Sequence, residues 1–225
     1  MGRVFATDDI LPPPPPDALE VLHDREYRVR AFQVADDRLL IQGAVRDQKP
    51  PGLYVPDDPE PLTMHHMQLS FGVAFPSLEI VAADVDFEAH PHEMCPSIVE
   101  HYGNLVGLSV ARGFTHRVRE LFGGPRGCTH TTALLQAMAP VAVQCFWSMK
   151  AATARRNGEP NPLVERESGI GDDDSTKYVI NSCHVWAEDG PAMAARRDGS
   201  MSTVPISIRR RLENLGRPIP TDFDG

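Results

Sequence analysis

Two periodicities divide the chain. From Tyr27 to Phe87 apolar and polar residues tend to alternate, and from Thr129 to about Arg155 apolar residues recur at helical spacing. Alternation marks strands with one buried face, whereas spacings of three and four mark a helix with one buried stripe. Tyr27 to Val34 and Leu39 to Val45 are short runs joined by Ala35-Asp36-Asp37-Arg38, a pattern that predicts a β-hairpin. Gly43, inside the second run, marks a bulge or a close approach of another element. His66 to Val73 alternates without a break, and Ala74-Phe75-Pro76-Ser77 turns the chain. Leu78 to Phe87 then puts Val81, Ala83, Val85 and Phe87 on one expected face and Ile80, Ala82, Asp84 and Asp86 on the other. The first half therefore reads as a four-stranded antiparallel meander.

The second half begins with helix signals. Pro96 suits the first position of a helix running to about Leu105, with Ile98, Tyr102 and Leu105 inward. Thr115 is placed to cap a brief helix holding Val118, Leu121 and Phe122. Gly123-Gly124-Pro125-Arg126-Gly127-Cys128-Thr129-His130 leads into the longest periodic segment, where Thr129 is the expected cap and Leu134, Leu135, Met138, Val141, Ala142, Cys145, Phe146 and Met149 form the stripe. Pro140 is expected to kink or split that helix. Residues 157 to 176 read as a polar loop, Tyr178 to Trp186 as a strand, and Ile208 to Leu215 as a short helix. The expected fold class is α+β, an antiparallel sheet of four to five strands with helices packed on one face. Its expected divisions are a Pro-rich arm over 1–24, a core over 25–190 and a C-terminal arm over 191–225.

Composition narrows the partners. Proline is abundant at 21 residues and clusters at 12–16, 50–61, 160–162 and 218–220, outside the periodic segments, with a polyproline run at Pro12 to Pro16 that favours an extended arm. The formal charge of −9 and the short, scattered arginine clusters argue against nucleic acid as a partner. No apolar run approaches the ~18 residues needed to cross a bilayer. The start of the chain, with Asp8-Asp9 and no apolar core, is unlike a secretory signal, so a cytoplasmic protein is expected. Four irregularly spaced cysteines are then expected to be reduced. A small-molecule substrate is the expected partner, with no membrane and with the arms available to join copies of the chain.

Three cysteines have histidine company: His90-x-His92-x-x-Cys95, Cys128-x-His130 and Cys183-His184. Cys95 and Cys128 each fall at an expected helix start, where the dipole favours a thiolate. Thiolate and imidazole are ligands for zinc and iron, which makes Cys95, Cys128, Cys183 and His90 the candidate metal set. An iron–sulfur cluster is the less favoured alternative. For catalysis the candidates are Cys128, His130, Asp84 and His184, with Asp84 and Asp86 able to orient an imidazole or act as acid and base. If 178 to 186 were a regular strand, Cys183 and His184 would point to opposite faces, so one of them alone could reach a shared site.

The order of these motifs resembles a bacterial family known as domain of unknown function 2889. The resemblance rests on the Arg-rich strand and Asp-containing loop from Arg28 to Lys49, the Pro-x-x-x-Cys turn from Pro91 to Cys95, Leu105 to Leu108, Gly-Cys-Thr-His at Gly127 to His130, and Cys183-His184. It spans roughly Tyr27 to Trp186 and implies a common site without supplying a reaction. A fainter similarity is to iron–sulfur scaffold proteins, which implies Cys95, Cys128 and Cys183 as ligands. Three readings follow. One is a small-molecule enzyme, a lyase, isomerase or hydrolase of bacterial catabolism, acting through a bound metal or by acid–base chemistry. The others are a metal or iron–sulfur carrier and a structural protein with buried cysteines.

Overall fold

The computed structural model describes residues 10–111, 113–162, 178–200 and 204–219. Strands β1 (Asp24–Ala35), β2 (Arg38–Lys49), β3 (Leu62–Ala74) and β4 (Glu79–Ala89) form one antiparallel sheet in the order β1-β2-β3-β4. The α+β expectation holds, and so does the meander. Each strand is longer than its apolar run, because pairing continues through the polar residues at the ends. Asp47 and His65, just outside the runs read from the sequence, are still paired with each other.

A single face of the sheet is covered. Leu39, Ile41 and Val45 of β2, Met67, Leu69, Phe71 and Val73 of β3, and Ile80, Val85 and Phe87 of β4 are buried there. The expected parity fails at the start of β4: Ile80 is fully buried and Val81 is exposed. Gly72 pairs with Ala82 while Val73 pairs with Ile80, so Val81 is the extra residue of a bulge. A bulge reverses the inside and outside positions before it relative to those after it.

Helix α1 (Phe114–Phe122) and helix α2 (Thr129–Asn157) pack against each other, and α2 lies across β1, β2 and β3. Gly43 makes that crossing close. A Cβ there would stand 2.5 Å from Met138 Sδ and 3.1 Å from Leu134 Cδ1, so of the two roles expected for Gly43 the close approach is the one observed. Pro140 does not split α2, which runs unbroken through it. The proline is on the exposed side, where a carbonyl left without a helix partner meets water.

Cys95–Leu105 is a 3₁₀ helix rather than an α-helix, and it packs on β4. Its inward residues Val99, Tyr102 and Leu105 recur every three positions, which is the period of a 3₁₀ turn. Thr115 caps nothing; the residue before α1 is Gly113, in the left-handed conformation. Tyr178 to Trp186 is not a fifth strand. Ser182 N donates to Val179 O at 2.9 Å and Asn181 N to Trp186 O at 2.8 Å, so these backbone groups are satisfied in local turns ending in the 3₁₀ turn His184–Trp186. Helices α3 (Pro191–Arg197) and α4 (Ile206–Asn214) follow, α4 close to where a short helix was expected. Of the loop expected over 157–176, residues 163–176 lie outside the described residues. Among the described residues no helix is long and apolar enough to cross a membrane.

Candidate functional site

Row by row, the covered face of β2 is Leu39, Ile41, Gly43, Val45 and Asp47. The last member is a carboxylate only 2% exposed. Its neighbours across the sheet are Arg25 on β1 and His65 on β3, which continue the same face on those strands. The start of α2 brings His130 over this row. Arg25, His65 and His130, with His23 from the residues before β1, thus converge on one buried acid.

Arg25 holds Asp47 in a two-point grip, Nε to Oδ1 at 2.5 Å and Nη2 to Oδ2 at 2.6 Å. His130 Nε2 lies 2.9 Å from the same Oδ2. Since an ionised carboxylate only accepts, the proton of that hydrogen bond belongs to His130 Nε2, and the lone pair of the neutral ring is on Nδ1. Nδ1 faces Cys128 Sγ at 3.7 Å. His23, in the last residues before β1, stands 3.4 Å from Asp47 Oδ1. The Arg25 hydrogen bonds keep the Asp47 carboxyl far below the usual carboxylate range, and outweigh the burial that would raise it.

His65 stacks on His130 with ring centroids 4.0 Å apart. Its Nδ1 is 3.2 Å from Asp47 Oδ2 but makes no hydrogen bond there, and the atom is buried with no other partner among the described residues. Oδ2 already accepts from Arg25 and His130, which uses both of its lone pairs. Burial first, then repulsion from the charge His130 carries when protonated, hold His65 below the ordinary imidazole value.

The thiol is positioned through the backbone. Cys128 is the residue before α2 and adopts an extended conformation, and its N–H donates to Tyr102 Oη at 2.8 Å. Tyr102 is fixed in turn by stacking on Phe122 at 4.8 Å. Gly127 is required for this approach, because a Cβ there would lie 2.4 Å from Phe122 O. Thr129, expected as the cap, is the first helical residue, and no side chain caps the helix. Thr132 Oγ1 donates instead to Phe122 O at 3.0 Å.

Of the residues singled out in the sequence, Cys128 and His130 come together. Asp84 does not join them. It pairs across the sheet with Ser70 in the row of Gln42 and Arg30, on the face away from the helices. Cys183 and His184 are exposed in the turn after Val179. His90 Nδ1 is 2.9 Å from His92 O, and Cys95 is half-buried at the start of its 3₁₀ helix. Among the described residues the group with three potential metal ligands is Asp47, His65 and His130, which contains none of Cys95, Cys128, Cys183 and His90. Cys145, expected in the core, is half-buried against it, and burial pushes its thiol up.

Asp47, His65, Arg25, His23 and Tyr102 are not among the site residues that the sequence singles out. A signal was present. Extending the alternation one step past Val45 reaches Asp47, and one step back from Met67 reaches His65.

An antiparallel sheet backed by helices, with a thiol, an imidazole and a buried carboxylate gathered at one helix start, is the class this geometry defines. The chain belongs to the family described as Protein of unknown function (DUF2889), whose model matches residues 23–144, more than half of the 225. The match contains every group converging on Asp47 and ends within α2, short of Cys183-His184. Comparisons with curated proteins and with solved structures find no match.

Proposed function

We propose that the protein is an enzyme acting on a small organic molecule, with Cys128 as nucleophile, His130 as general acid and base, and Asp47 orienting His130. What carries this reading is the unbroken line from Cys128 Sγ to His130 Nδ1 at 3.7 Å and from His130 Nε2 to Asp47 Oδ2 at 2.9 Å. A nucleophile, a base within reach and a third group that fixes the tautomer of the base are the parts that covalent catalysis requires. The sulfur-to-nitrogen distance is long for proton transfer, and such contacts tighten when substrate binds.

The chemistry that fits is hydrolysis or transfer of an acyl group, which favours the hydrolase among the reaction classes considered. His130 Nδ1 takes the Cys128 proton as the sulfur forms a bond to the carbonyl carbon. The bond to the leaving group then breaks, and the leaving group departs with the proton from Nδ1. Water next attacks the thioester carbonyl while His130 accepts its proton; the carbon–sulfur bond breaks, the carboxylic acid departs, and Nδ1 returns the proton to the Cys128 sulfur. The first backbone N–H groups of α2 lack intrahelical partners and no side chain caps them, so they favour a developing oxyanion beside Cys128. A reduced thiol suits the cytoplasm.

The test is a panel of small p-nitrophenyl esters and acyl thioesters, with intact-protein mass spectrometry after rapid quenching. The reading expects turnover of at least one class with an acyl mass added at Cys128, and loss of both in Cys128→Ser and His130→Ala. Turnover that survives Cys128→Ser would overturn it.

A further inference from the structure

We infer that Asp47, His65 and His130 also form a binding site for a divalent transition-metal ion of the zinc type, with Asp47 Oδ2, His65 Nδ1 and His130 Nε2 as its ligands. These three atoms all lie within 4.8 Å of one another. A tetrahedral ion about 2.0–2.1 Å from each ligand places the ligands about 3.3 Å apart. Asp47 Oδ2 is 2.9 Å from His130 Nε2 and 3.2 Å from His65 Nδ1. The second observation is the buried Nδ1 of His65, which lies 3.2 Å from Asp47 Oδ2 and makes no hydrogen bond. An ion shared by the three would give that nitrogen a partner.

Two imidazole nitrogens and one carboxylate oxygen select zinc, cobalt or nickel over magnesium or calcium, which prefer all-oxygen shells. Cys128 is outside this set, because its sulfur meets the opposite nitrogen of the His130 ring. His130 ligated through Nε2 carries its proton on Nδ1, so an ion here would leave the thiol without a base. Arg25 opposes binding. Its guanidinium occupies both Asp47 oxygens and adds a positive charge, yet its side chain is 39% exposed, which leaves solvent beside it to take up the displaced charge.

Zinc titration of the full chain by calorimetry, with cobalt absorption as a second readout and magnesium as a control, tests the site. One zinc ion per chain is expected, weakened about tenfold or more in His65→Ala and in Asp47→Asn, tightened about tenfold in Arg25→Gln, and unchanged in Cys128→Ser. His65 is partly exposed, so His65→Ala is the variant expected to keep its fold, which circular dichroism verifies. Absence of binding to both the unaltered chain and Arg25→Gln would overturn the inference. So would zinc affinity unmoved by His65→Ala and Asp47→Asn, or affinity lost in Cys128→Ser. The catalytic proposal fails separately, on acylation of Cys128 rather than on metal affinity.

Discussion

The two ends of α2 rest on the same sheet and hold it by opposite means. At the far end, Phe146 packs against Phe75 and Tyr178, each at 5.7 Å between centroids, and Tyr178 Oη donates to Pro76 O at 2.9 Å. That end is an aromatic cluster with exposed polar ties beside it, among them Arg156 Nη1 to Gln33 Oε1 at 2.8 Å, and it contributes mainly through buried area and can tolerate substitution by residues of similar volume. At the near end the contact is Asp47 with Arg25, His23, His65 and His130, a set whose members depend on one another. Removing one partner of a buried pair leaves the other uncompensated, at a cost of about 3–5 kcal/mol for a fully buried charge. The apolar end therefore holds the helix, and the polar end is where the fold bears the cost of chemistry.

The contrast can be broken most strongly at the thiol. Cys128→Ala is expected to abolish turnover while leaving the thermal midpoint within a few degrees, read by ester hydrolysis and calorimetry. Next comes Asp47→Asn, which should lower kcat by about 10²–10⁴-fold by loosening His130 and also destabilise the fold, since Arg25 loses its charge partner. Phe146→Leu at the aromatic end should lower stability by about 1–2 kcal/mol in urea unfolding with kcat unchanged.

Gly43→Val tests the crossing itself. Its side chain would press on Met138 and Leu134, and a loss of about 1–3 kcal/mol is expected by the same measurement. The pH dependence separates the ends more gently. His65 is held below its ordinary value of 6.5 in the folded chain, so the unfolded chain takes up that proton first as pH falls. Stability from this group is full above about pH 6.5, declines as pH falls toward the folded value, and then levels off. Asp47 adds a second loss below about pH 4, as pH falls toward its lower folded value. Urea midpoints across pH should show the first decline flattened in His65→Gln. The smallest effect is expected for Asp84→Asn, on the open sheet face, with kcat changed less than twofold.

Most of the fold was legible because burial on one face imposes a period on the residues. The meander, the length of α2, the inward Tyr102 and Leu105 and the tight spot at Gly43 all follow from period or from glycine. Where that reading failed, a local event had no signature in the period. The bulge at Val81 exchanged the faces at the start of β4, and the β-rich residues from Tyr178 to Trp186 closed into local turns. The site was half legible. Cys128 and His130 stand out because glycines and a helix start frame them, whereas Asp47 and His65 meet only through strand register, 18 residues apart in the chain (65 − 47). Clustering histidines with cysteines by sequence proximity directed attention to Cys95 and Cys183, and sequence proximity says nothing about which face of a sheet a side chain occupies.

The central claim is that Cys128, His130 and Asp47 act as one unit. Its most direct measurement is the rate at which iodoacetamide alkylates Cys128 at neutral pH, read by peptide mass spectrometry in the unaltered chain, in His130→Ala and in Asp47→Asn, each verified as folded. The account predicts that both variants slow alkylation of Cys128 by tenfold or more while Cys183, exposed and remote from Asp47, reacts at an unchanged rate. Equal rates at Cys128 in all three proteins would contradict it.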